Sequence, residues 1–463
     1  MVQPRAGAER GGPVRLGVIG IVAGALAAAG AVTALVVTGH RPEWTTSSPA
    51  ALAEFEKGQD ALQKVYRAEA NDHFRKALEL DPDFLIDKLF VARSFEAPDS
   101  DPKVAAIYDD LRRADLSKLT PRERYLIEYS LAGHAKDVAK AQGIIKAYAA
   151  KYPDDPFALE AVASMAAGRQ DWDSAQREYT HLMEVAPNRV NAYNSLGYLA
   201  MAQGRFAEAE KMFQTYRYIA PDQANPHDSL GELLTLIGRY DEANREFEDA
   251  LKIRPDFCDS YIHLVSLWQL AGSEDKAAEA RARARRSSGC SDYQLKRLDC
   301  ELAIWPPVVA RDWQGVWSAA TASCAGDEAG DNPLRFSAAV ITGRRADAEA
   351  LLEKVKTEME KFPPTSAARQ QYQAEALHME AVLLLADGKP VEAAARFQAA
   401  DEKMSYNQLD PGLFKLFNGM YRAKALQQAN AGDEAAAQLA SLRAVNPKFV
   451  AQCARILSMP LGT

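Results

Sequence analysis

Only five cysteines occur in 463 residues, and no two of them are spaced as CxxC. That argues against a zinc ribbon or a thioredoxin-type site. GxxxxGK[ST], HExxH and GxSxG are all absent, so no nucleotide P-loop, zincin helix or nucleophile elbow is expected. The seven histidines are scattered, and carboxylates on helices are usually solvated. No cofactor, metal site or catalytic set is expected, and the chain is not expected to be an enzyme. A basic excess is also missing: the formal net charge is -8. Non-specific nucleic-acid binders usually carry a basic face, so no nucleic-acid partner is expected.

Long apolar runs are missing except one. Leu16 to Val37 carries no charge over 22 residues, enough to span a bilayer as a helix. Arg5, Arg10 and Arg15 precede it and Arg41 follows it. The positive-inside rule then predicts a single-pass inner-membrane protein, with the larger part periplasmic or otherwise extracytoplasmic. A cleaved signal peptide is the other reading. Gly20, Gly24 and Ala28 form a small-residue ridge that would let two such helices dimerise.

What is abundant is a period. Pro153, Pro187, Pro221 and Pro255 follow one another at intervals of 34 residues. With each proline at position 32 of a unit, position 20 is Ala141, Ala175, Ala209, Ala243 and Ala277. Position 8 is Ala163, Gly197 and Gly231; position 24 is Ile145, Tyr179, Phe213 and Phe247. Small residues at 8 and 20 let helix A and helix B of a unit approach closely, and bulky ones fill the space around them. Gly204, Gly238 and Gly272 permit the positive φ that ends helix A. Proline stops helix B. A 34-residue period marks tetratricopeptide repeats, in which no unit buries its apolar face alone. Thr120, Pro121 and Glu123 read as a capping box opening another helix.

The expected fold is therefore all-α: an α-solenoid of tetratricopeptide helix-turn-helix repeats after one N-terminal transmembrane helix. The expected divisions are a tail at 1–15, a transmembrane helix at 16–38, a linker at 39–50 and the repeat array at 51–289. A connector at 290–333 with a short helix near Trp313 and Trp317 follows, then helical hairpins at 334–463. Cys290, Cys300 and Cys324 cluster in or beside the connector and can supply one disulfide in an oxidising compartment; buried free thiols are the alternative. An odd total leaves at least one thiol free.

In such a superhelix, positions 2, 5, 9 and 12 of the A helices line the concave groove. Here they include Glu160, Asn191, Asn194, Tyr198, Asn225, Asp228, Glu232 and Asp259. Amides can hold an extended peptide by its backbone, and the carboxylates favour a cationic protein or peptide through steering. The alternative is a groove that is solvated or filled by the chain's own C-terminal half. The basic run Arg281 to Gly289 caps the last B helix of the array or, as a second reading, binds phosphate. Two other functions remain open: an enzyme with its site in residues 290–333, and a scaffold facing the cytoplasm.

The stretches "LTPRERYLIEY" and "KYPDDPF", with the repeat "HFRKALELDPDF" before them, resemble the membrane-anchored repeat region of bacterial transmembrane serine/threonine kinases. That resemblance implies a sensing or protein-binding module. No Gly-rich loop, HRD or DFG is present, so it implies no kinase activity.

Overall fold

The computed structural model describes residues 43–95, 101–324, 333–364 and 366–460. Among these are 23 α-helices, one short 3-10 turn and no strand. The array runs α1 (Pro49–Gln63), α2 (Arg67–Leu80), α3 (Leu85–Ser94), α4 (Pro102–Arg113), α5 (Pro121–His134) and α6 (Val138–Lys151). The regular units follow: α7 (Pro156–Gly168), α8 (Trp172–Val185), α9 (Asn191–Ala202), α10 (Phe206–Ile219), α11 (Asn225–Leu236), α12 (Tyr240–Ile253), α13 (Cys258–Leu270) and α14 (Glu274–Arg286). Then come α15 (Asp292–Ala310), α16 (Trp313–Ser323), α17 (Pro333–Ile341), α18 (Arg345–Glu360), α19 (Ala367–Ala386), α20 (Pro390–Asp401), α21 (Leu409–Gln428), α22 (Gly432–Val445) and α23 (Pro447–Ile456).

The periodic residues explain the pairing. Phe213 and Phe247 are fully buried, each ring lying against the glycine at position 8 of its own unit. A Cβ at Gly231 would lie 2.6 Å from the Phe247 ring, so only glycine admits the ring there. Each buried ring contributes about 1.5–3 kcal/mol of hydrophobic burial. Gly204, Gly238 and Gly272 sit at φ of 72°, 79° and 71° between helix A and helix B. The Thr120 capping box forms in full, with Glu123 reaching back to the cap backbone.

Residues 290–324 are more helical than expected. Instead of a connector with one short helix, they contain α15 and α16 packed as a hairpin, and Ser291 opens α15 with a second capping box. Two disulfides brace this hairpin rather than one. Cys300 pairs with Cys324 across it, and Cys290 pairs with Cys258 at the start of α13. Cys453 is free and buried.

The superhelix closes on itself. Tyr66 Oη accepts a hydrogen bond from the Ala224 amide at 3.1 Å, and the Arg254 guanidinium lies 4.4 Å from the Tyr66 ring centre while pairing with Glu69 at 2.7 Å. The C-terminal helices fold back onto the array: α21 packs on α11, and a single buried core runs from Ala200 through Leu236 and Phe336 to Met459.

Among the described residues no helix is long and apolar enough to cross a membrane. That finding corrects the single-pass inner-membrane placement read from the sequence. Residues 1–38, with Gly20, Gly24 and Ala28, lie outside the described residues.

Candidate partner-binding groove

The groove positions fall into three sets. The first is the middle of the array. Glu160 on α7 pairs with Arg189 at 3.1 Å, and that guanidinium lies 4.3 Å from the Phe157 ring centre. Asn191, Asn194 and Tyr198 share one face of α9 at i, i+3 and i+7. The Oδ1 atoms of Asn191 and Asn194 are both buried and have no hydrogen-bond partner. A buried acceptor left unpaired costs about 1–3 kcal/mol.

The second set departs from expectation. Asn225, Asp228 and Glu232 on α11 do not line an open groove; all three are buried. Asp228 accepts from Ser260 Oγ at 2.7 Å and meets His263 Nδ1 at 3.1 Å. Glu232 accepts from Tyr198 Oη at 2.7 Å and from the Leu409 amide at the start of α21. Burial drives the Glu232 carboxyl up from its ordinary pKa, against the pull of nearby His263 and the Tyr198 hydrogen bond. Burial opposes the charge on His263 as well, but Asp228 outweighs it, with Glu232 and Asp259 adding to the effect, and the imidazole is pushed up to about 10. His263 is therefore protonated at neutral pH. Asp259, at the start of α13, is partly buried and also raised, by burial first and the neighbouring Asp228 second.

These matches correct the expected electrostatics. Glu160 meets Arg189, Asp228 meets His263, and Glu232 meets Tyr198 and a backbone amide. Three of the four carboxylates that were to draw a cationic partner, Glu160, Asp228 and Glu232, are answered inside the chain.

The third set is what fills the far side. Residues 403–412 cross the ends of successive A helices. Gln170 Nε2 donates to the Lys403 carbonyl at 3.5 Å, the Tyr406 amide to the Ala202 carbonyl at 3.3 Å, and the Tyr406 ring sits 5.3 Å from Phe206. A cavity of about 1300 Å³ remains between the array and the C-terminal helices, with Ser164, Ser195 and Tyr198 on one wall and Gln370, Phe414 and Phe417 on the other. That exceeds the roughly 300–1,000 Å³ of small-molecule pockets.

In residues 290–324, Arg297 pairs with Glu301 at 3.7 Å and with Asp410 at 3.8 Å beside the cavity. The core of this hairpin is apolar, built from Cys300, Ile304, Val308, Val316, Ala320 and Cys324. No cluster of His, Cys, Asp and Glu able to hold a metal occurs among the described residues.

Residues 188–256 match the tetratricopeptide repeat family model. Residues 188–256 are thus tetratricopeptide repeats, set within a fold whose described residues are all-helical and solenoid-like. The matched family is a repeat family and not a catalytic one. No curated protein matches the chain. Among solved structures, a tetratricopeptide repeat protein from Parabacteroides merdae is 16% identical, covers 54% of this chain and 93% of its own, and has a TM-score of 0.37. PilW, described as a type IV pilus biogenesis factor, is 16% identical over 43% of this chain and 92% of its own, with a TM-score of 0.35. Cut9–Hcn1 of APC/C is 13% identical over 93% of this chain and 81% of its own, with a TM-score of 0.49. None of these comparisons supports the kinase-linked resemblance.

Proposed function

We propose that this chain is a scaffold that holds an extended segment of a protein partner in the middle of its concave groove, between Phe157 and Tyr198. The observation that carries the reading is the pair of unpaired, buried amide oxygens on Asn191 and Asn194. They lie on the face of α9 that leads to the cavity wall at Tyr198. Backbone N–H groups of an extended peptide are the donors that fit two acceptors so spaced. The cationic character expected of the partner is not part of this proposal, because Glu160, Asp228 and Glu232 are matched within the chain.

The test is a crosslinked pull-down with wild type beside Asn191→Ala/Asn194→Ala. Each hydrogen bond is worth about 1 kcal/mol net, so a partner held by both loses roughly 30-fold in affinity. A partner recovered equally by both chains would sink the proposal.

A further inference from the structure

The concave face of the first units already carries an extended segment. Residues 43–48 precede α1 and lie across α1, α5 and α7. Trp44 is 5% exposed, with its ring centre 5.1 Å from Phe55 and 5.9 Å from Phe157, both in edge-on geometry. The Arg122 guanidinium lies 5.8 Å from the Trp44 ring centre and pairs with Glu43. Glu123 is fully buried and takes two bonds from one residue of the segment: Thr45 N at 2.6 Å and Thr45 Oγ1 at 2.5 Å. Thr46 Oγ1 donates to Asp81 at 2.5 Å.

The seats of this segment belong to the groove register. Glu123 and Phe157 occupy position 2 of successive units, the row that continues as Asn191, Asn225 and Asp259; Phe55 occupies position 5 of its own unit. The segment thus sits where a bound peptide would. A main-chain N–H and a side chain on one buried carboxylate, beside a buried aromatic anchor, are the features of a recognised peptide. Within the segment, Thr46 N donates to the Trp44 carbonyl at 3.1 Å, closing a turn. Release of residues 43–47 leaves α1 capped, because Ser48 Oγ accepts from Ala51 N.

We propose that the first half of the groove is a second peptide site, fitted to an extended segment with a tryptophan followed by hydroxyl residues, and that residues 43–48 are its resident, displaceable occupant. A partner segment bearing that pattern gains the site by displacing the occupant. The proposal stands on the contacts of Trp44 and Glu123 and does not depend on the reading of Asn191 and Asn194.

The test uses the full chain and a labelled peptide of sequence EWTTSSPA, read by fluorescence anisotropy. A tethered occupant competes at an effective concentration on the order of millimolar. The peptide should bind Trp44→Ala/Thr45→Ala about tenfold or more tighter than it binds wild type. Adding Phe157→Ala should abolish the gain. Equal binding to wild type and the double variant overturns the proposal, as does no binding to a double variant that keeps wild-type helicity. Should the variant lose helicity, hydrogen exchange on wild type decides. The Thr45 amide should exchange at least about tenfold faster than the central amides of α5, and equal protection overturns the proposal.

Discussion

Asn446 Nδ2 donates to the Leu236 carbonyl at 2.9 Å, joining residues 210 apart in the chain. The same amide group reaches the Thr235 carbonyl at 3.3 Å, while Asn446 Oδ1 caps α23 by accepting from Phe449 N at 2.9 Å. One fully buried side chain therefore serves the C-terminal end of α11 and the N-terminal end of α23. Asn446→Ala should cost about 2–4 kcal/mol, the sum of a lost cap and two stranded carbonyls. Asn446→Asp keeps the cap but points a carboxylate at the carbonyl end of α11, so it should destabilise at least as much. Urea unfolding of the three chains measures both.

Asp87 is a different case. It is fully buried in α3 and neither carboxylate oxygen has a partner. Burial, with a smaller push from Asp81, raises its pKa from about 3.8 to about 8. A carboxyl raised on folding stabilises the folded chain most below its unfolded value, and that contribution is lost as pH rises from about 4 to 8. Asp87→Leu should therefore be more stable than wild type by about 1–3 kcal/mol at pH 8. The advantage should shrink as pH falls toward 4. Unfolding midpoints across that window give the answer.

His263 has the opposite charge and a different window. Its pKa is raised from 6.5 to about 10, with burial opposing the shift and Asp228 prevailing. The stabilisation is full below about pH 6.5 and is lost as pH rises toward 10. The melting temperature of wild type should fall across that range more steeply than that of His263→Gln. Parallel curves would show that the Asp228 contact contributes nothing.

Thiol chemistry gives a fourth expectation. A non-reducing digest of the oxidised chain should yield Cys258 joined to Cys290 and Cys300 joined to Cys324. Closing loops of this size is worth about 3–4 kcal/mol each, so reduction should lower the melting temperature. Burial pushes the Cys453 thiol far up, so alkylation should reach it only on unfolding.

The local architecture was legible because it is periodic. Prolines 34 residues apart, with Gly231 and Phe247 at fixed offsets between them, specify helix pairs wherever they fall. The Thr120 capping box was visible for the same reason: its chemistry is complete within four residues. The contacts that shape the groove have no period. Nothing in the sequence near Glu232 indicates that Leu409 will arrive there, and Arg189 and His263 lie off the groove rows that were read for charge. Trp44 was missed because a lone tryptophan before the first helix carries no repeat signal; its closeness to that helix was the one available hint. Cys258 stood alone at a helix start, 32 residues from its partner.

The closure of Tyr66 onto Ala224 has a kinetic consequence. In an open repeat array each unit feels only its neighbours, so folding can begin anywhere and spread unit by unit. Here two ties, across 158 and 210 residues, bind units that are far apart in sequence. Loop closure must precede any reward from them, which raises contact order and slows folding relative to an open array of equal length. It also makes the ends interdependent: removing α1 and α2 should loosen Ala224 and Phe257 in the middle of the chain. A molecule assembled from repeated modules should thereby unfold more cooperatively than an open array of the same modules.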